Sequence, residues 1–89
     1  MEWSLEVSPE FKSDYRKLCA KNAHFRAAVD KKLAQVLLNP LHYKPLRAPL
    51  AGLRRVHIAG SFVLMFEPDA QREVVRLLRL ARHAEAYGR

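Results

Sequence analysis

The sequence predicts an α+β fold in the order β-α-α-β-β-β, with two N-terminal helices packed on one face of a mostly antiparallel sheet of about four strands. Three observations predict it. Residues 2–8 alternate apolar and polar, as a half-buried strand does; residues 9–39 carry apolar side chains at helical spacing; the last third holds three β-rich runs separated by turn residues. A chain of 89 residues is expected to form one domain, 1–89. So small a domain buries only about 60–65% of the surface its unfolded chain exposes, so its core is thin.

In "EWSLEVS", Trp3, Leu5 and Val7 face one way and Glu2, Ser4, Glu6 and Ser8 the other. "SPE" then starts a helix. Ser8 can cap it, Pro9 sits at the first helical position where its missing N–H is not needed, and Glu10 lies near the positive helix end. Phe11, Tyr15, Leu18 and Cys19 form its apolar stripe, which predicts a helix to about Lys21. Asn22 can cap a second helix with the stripe Phe25, Val29, Leu33, Val36 and Leu37, ended by Asn39–Pro40. Lys12, Arg16, Lys17, Arg26, Lys31 and Lys32 lie mostly off these stripes and are expected to be solvated.

Residues 40–52, "PLHYKPLRAPLAG", hold three prolines and a glycine and read as a loop. Leu41, Tyr43, Leu46 and Leu50 are expected to pack it down. "LRRVHIA" alternates, with Val56 and Ile58 on one face and Arg55 and His57 on the other. Gly60–Ser61 suits a tight hairpin. "FVLMFE" is apolar on both faces, as a central strand is, and Pro68 is expected to start the turn over 68–72. "EVVRLLRLA" is the last strand, broken by Arg76 and Arg79.

Sixteen Lys and Arg against nine Asp and Glu give a net charge of +7, which attracts a polyanion or an acidic protein. The charge is spread through the folded elements, so this is no basic tail. The single Cys19 excludes an internal disulfide and any cysteine zinc cluster and fits a reducing cytoplasm. No apolar run approaches the roughly 20 residues that span a bilayer, and "MEWSLEVS" lacks a signal-peptide core, so no membrane role is expected.

An arginine in an apolar strand must be paired or solvated. Arg76 can reach Glu67 or Glu73; Arg79 is either an ion-pair partner or a phosphate clamp, since guanidinium forks onto phosphate oxygens. His57 shares a face with Arg55, and His83 lies just past the last strand, where an antiparallel sheet can bring it near His57. Two imidazoles among arginines suit metal-independent RNA cleavage: a base for the ribose 2′-OH, a cation for the phosphorane and an acid for the 5′-oxygen. Tyr87 can stack on a base. No GxGxxG or P-loop is present, Ser61 and Cys19 lack a nucleophile motif, and His24, His42, His57 and His83 have no metal-ligand spacing. Neither metal nor cofactor is expected.

The stretches "PLAGLRRVHI", "FVLMFE" and "RHAEAY", within an order that runs over roughly residues 5–87, resemble the RelE/ParE toxin superfamily of type II toxin–antitoxin modules, most closely its YafQ-like branch. The resemblance implies a microbial-RNase-like fold and ribosome-dependent, metal-free cleavage of mRNA, leaving a 2′,3′-cyclic phosphate and a 5′-hydroxyl. It implies three partners, the ribosome, mRNA and a cognate acidic antitoxin that assembles with the toxin into a hetero-oligomer. It places His57, His83, Tyr87 and Arg54 in the catalytic set, to which Arg55 is added from its face, and leaves Arg79, Arg82, Phe62, Arg47 and Lys44 as RNA-binding candidates. The sequence departs from the family at Ala48 and Ser61, where a histidine and an acid are expected, and at Val63, where RelE-like members carry arginine. Two alternatives follow: a ParE-like gyrase inhibitor without nuclease activity, whose branch lacks the histidine pair, and a basic RNA- or ribosome-binding module with weak catalysis.

Overall fold

The structure is a computed structural model and describes residues 3–46 and 52–83. Strand β1 (Ser4–Val7) leads into helices α1 (Pro9–Cys19) and α2 (Ala23–Leu38), then a 3-10 turn (Pro40–His42). Strands β2 (Arg54–Ile58), β3 (Phe62–Asp69) and β4 (Val74–Arg82) follow. The sheet order is β1-β4-β3-β2; β1 runs parallel to β4, and the other pairs are antiparallel. The expected architecture is the one observed.

Both helix starts are fixed by the caps that the sequence carries. Ser8 Oγ accepts from Phe11 N at 3.0 Å and donates to the Leu78 carbonyl at 3.0 Å, so the cap also ties α1 to β4. Asn22 Oδ1 accepts from Phe25 N at 2.9 Å. Each such cap is worth about 1 kcal/mol. Phe11, Cys19, Phe25, Val29 and Val36 meet Ile58, Leu64, Phe66, Val75, Leu77 and Leu80 in one core between the helices and the sheet. A fully buried Phe66 or Leu77 stabilises by about 1.5–3 kcal/mol.

The last strand owes its odd pattern to a bulge. Met65 pairs with Arg79 but Phe66 pairs with Leu77, which leaves Leu78 as the extra residue. The shift keeps Leu80, Leu77 and Val75 on the helix side although they do not alternate, and it sets Arg79 and Arg76 on the opposite face three residues apart.

Several local expectations are corrected. The β2–β3 turn is made by Ala59 and Gly60, with φ of 52° and 83°, ahead of Ser61. Pro68 does not start a turn: it lies inside β3 opposite Val75, beyond the last β2 partner at Phe66, and the turn comes at 70–73 with Glu73 at φ 53°. Leu41 does not pack down but stays 47% exposed, because it follows Pro40, the residue the 3-10 turn buries. Tyr43 does pack, edge-on to Phe66 at 5.8 Å, and Leu50 lies outside the described residues. No helix among the described residues is long and apolar enough to cross a membrane.

Candidate active site

The helices cover one face of the sheet and no described element covers the other. On the uncovered face the register sets Arg55 and His57 of β2, Val63 and Met65 of β3, and Arg79 and Ala81 of β4 in cross-strand rows. His83 follows one step beyond Ala81 and is anchored by its own backbone, whose N–H donates to the Ser61 carbonyl at 2.9 Å. From opposite sides of β3 the two imidazoles lean together: the His57 and His83 rings are 5.8 Å apart and 7° from parallel. Arg55 Nη1 stands 3.3 Å from His83 Nε2. Beneath them Val63 is fully buried, so the buried aliphatic residue occupies the row where RelE-like relatives are expected to carry arginine.

The other candidates are placed differently. Arg54 is on the helix-side face, where Nη1 donates to the Tyr43 carbonyl and closes the loop against β2. Phe62 and Arg82 pair on that same face: the Phe62 ring packs tilted, at 57°, against Phe25 of α2 with centroids 4.7 Å apart, and the Arg82 guanidinium lies 5.1 Å over the Phe62 ring. Arg79 starts from the uncovered face but bends round the β4 edge to Asp14 of α1, Nε to Oδ2 at 2.7 Å. Arg76 meets neither Glu67 nor Glu73 but Glu6, at 3.7 Å, because parallel pairing with β1 places Glu6 directly beside it. Lys44 is exposed in the loop. Arg47, Ala48 and Tyr87 lie outside the described residues. Of the ten candidates the structure therefore joins three, Arg55, His57 and His83.

Asp14 is the residue that sequence reasoning missed. Its carboxylate accepts from Arg79 and also from the Leu80 N–H at 3.0 Å, satisfying the β4 edge where β1 has ended. No local signal marks it, since the contact spans 65–66 residues of sequence.

A cleft of about 550 Å³ opens elsewhere, between β1, α1 and α2, lined by Leu5, Val7, Phe11, Leu33 and Leu77 with Lys12, Arg16 and Arg26 among the polar lining. It holds no histidine; His57 and His83 are exposed on the opposite face of the sheet. Among the described residues no group of three or more His, Cys, Asp or Glu is placed to hold a metal.

A model of the "ParE toxin of type II toxin-antitoxin system, parDE" matches residues 5–87. The chain belongs to this toxin family. It is 34% identical over 96% of its length to a Methanocaldococcus jannaschii chain bearing the toxin name RelE4, of which it covers 90%. Among solved structures, the RelBE2 toxin–antitoxin complex of Mycobacterium tuberculosis matches with a TM-score of 0.78 at 25% identity, over 93% of this chain and 100% of the other. The E. coli DinJ–YafQ toxin–antitoxin complex matches in fold, with a TM-score of 0.77 at 20% identity over 99% of this chain and 100% of that one. The RelE/ParE resemblance seen in the sequence is thus the family itself, and the toxin's histidine face lies within the matched span.

Proposed function

We propose that this toxin is a ribosome-dependent mRNA endonuclease that cleaves by attack of the ribose 2′-OH, with His57 and His83 as the acid–base pair and Arg55 as the cation beside the phosphate. The observation that carries this reading is the parallel imidazole pair with a guanidinium 3.3 Å from one ring, on a sheet face that no described element covers. Imidazole can serve as either acid or base near neutrality, and a fixed cation stabilises the charge gained in the phosphorane. The net charge of +7 suits docking on ribosomal RNA. The chain acts in the cytoplasm and is neutralised by an acidic antitoxin, as the toxin–antitoxin complexes among its structural relatives suggest.

The test is incubation with programmed ribosomes in EDTA, with mRNA ends mapped by primer extension. Cuts within A-site codons that persist in EDTA and vanish in the His57→Ala, His83→Ala double variant support the reading. Intact mRNA with folded protein overturns it.

A second reading, inhibition of DNA gyrase without nuclease activity, is favoured by one observation: the matching family model is that of ParE. Gyrase-dependent DNA breaks in the same preparation, with intact mRNA, select it.

A further inference from the structure

On the helix side of the sheet, at the end marked by the β2–β3 turn, three side chains rise in a tier from core to solvent. Phe25 of α2 is buried, Phe62 at the start of β3 is half-buried, and Arg82 at the end of β4 is exposed. The Phe62 ring packs on Phe25 with centroids 4.7 Å apart, and the Arg82 guanidinium lies 5.1 Å over the Phe62 ring. Backbone pairing of Phe62 with Arg82 sets that contact, so the arginine has a fixed floor beneath it. Its neighbours on β4 differ. Arg76 and Arg79 each meet a carboxylate, whereas no carboxylate among the described residues pairs with Arg82. A guanidinium is planar and weakly hydrated, and unpaired nucleobases stack on it as they do on aromatic rings. His83 follows Arg82 directly in the chain, with its backbone N–H tied to the Ser61 carbonyl and its ring parallel to that of His57 on the other face. The end of the sheet is thus where the histidine face and the Phe62–Arg82 tier come together, and one strand of RNA can meet both.

We propose that Arg82, floored by Phe62 and Phe25, is a stacking platform for one unpaired base of the mRNA, the base of a nucleotide flanking the scissile phosphate. The proposal rests on the nuclease reading above and adds to it a contact away from the histidines. Its role is to position the strand. A base held at the end of the sheet fixes where the backbone turns, and so which phosphate comes to lie at the histidine face. Every base has a π face, so the platform accepts any of the four and reads no sequence. What it requires of the protein is a plane as well as a charge, and lysine supplies only the charge.

The test is a double-mutant cycle between the full toxin and its RNA. Affinity is measured on programmed ribosomes whose mRNA is blocked against cleavage by a 2′-O-methyl group on the scissile ribose. The nucleotide on each side of the scissile phosphate is replaced in turn by one that lacks its base. Arg82→Lys should weaken binding of the intact mRNA by about 5- to 100-fold, the scale of losing one stacked base, with a melting curve like that of the wild type. At one of the two positions, removing the base should weaken wild-type binding by a similar factor and should cost Arg82→Lys almost nothing further, because both changes remove the same contact. The slope of log affinity against log salt should be the same for both proteins, since lysine keeps the charge. Wild-type affinity in Arg82→Lys, or losses that simply add at both positions, overturns the platform and leaves Arg82 a charge or a structural contact. Cleavage of unmodified mRNA by the wild type, followed in parallel, separates the two readings. Cleavage with additive losses sinks the platform alone; a wild type that neither binds nor cleaves sinks the nuclease reading and the platform with it.

Discussion

The sheet face opposite the helices has two ends, and an arginine reaches into each. Beyond the bulge, toward the β3–β4 turn, Arg72 and Arg76 meet Glu6, at 2.6 and 3.7 Å, and Arg72 also approaches Asp69 at 3.7 Å. Toward the β2–β3 turn, the His57 and His83 rings lie parallel, and the Arg55 side chain reaches His83 from the Met65 row. Between the ends, Met65 has Arg55 on one flank and Arg79 on the other. Arg55 stays on the face; Arg79 is drawn off it to Asp14. What an arginine offers a ligand is set by which carboxylate the neighbouring elements bring within reach. At one end Glu6 and Asp69 meet the arginines, and at the other Arg55 stands beside the His83 ring.

The sharpest way to break this contrast is to give the histidine end the charge of the other. Arg55→Glu should reduce mRNA cleavage by about 10²–10³-fold, the scale of losing one transition-state charge stabiliser. Arg55 is only half-buried, so the thermal midpoint should move little. Rates from primer extension beside a thermal melt check both parts. Full activity in Arg55→Glu would show that this end is not the site.

The next largest effect is expected where the two ends meet. Asp14→Ala removes the carboxylate that Arg79 meets and leaves the Leu80 N–H without its acceptor. The Asp14 side chain is only 16% exposed, so the loss should be about 1–3 kcal/mol of stability by denaturant titration. If Asp14 is what keeps Arg79 from phosphate, the slope of log affinity against log salt should steepen by about 0.7 on a single-stranded RNA. An unchanged slope would mean that Arg79 stays off the face for reasons other than Asp14.

These two arginines also show how far the sequence could be read. Alternation in "RRVHI" put Arg55 and His57 on one face, and Ser8 and Asn22 announced both helix starts, because strand and cap signals lie within a few residues. The fate of Arg79 depends on β1 ending opposite Leu77, so that α1 passes the bare β4 edge just where Asp14 can reach it. That is a matter of strand lengths and sheet order, which no local pattern encodes. Arg82 and Phe62 are different: alternation from Arg79 and from Leu64, undisturbed by the bulge at Leu78, puts both on the helix side, away from the histidines. Arg54 enters the catalytic set through the family resemblance, whereas strand alternation places it on the helix side, as Arg55 and His57 share the opposite face.

A smaller effect sharpens the comparison from the neutralised end. Glu6→Gln removes the carboxylate that Arg76 meets and one of the two near Arg72, whose side chains are 56% and 59% exposed. Exposed pairs of this kind contribute about 0–1 kcal/mol, so stability should barely change. Cleavage should stay within about twofold of wild type, since the freed charges lie at the far end of the face. A large gain in ribosome binding would show that this end also docks.

The smallest effect concerns pH and belongs to the covered face. Burial pushes the Cys19 thiol above its usual value; Asp30 adds to the shift and Arg26 opposes it. Tyr15 is also raised, first by burial and then by its hydrogen bond to Asp30, at 2.8 Å. A group whose folded pKa is raised contributes stability that is fully present below its unfolded pKa and lost as pH rises through the folded one. For Cys19 that window opens above about pH 8.5, and for Tyr15 above about pH 10. Denaturant midpoints should therefore be flat with respect to these two groups from pH 7 to 8.5 and fall beyond, first through Cys19. Iodoacetamide should label Cys19 far more slowly in the folded toxin than in denaturant at pH 8, because the thiolate is the reactive form and burial disfavours it. Equal labelling rates would place Cys19 at the surface and remove the physical basis of the pH window.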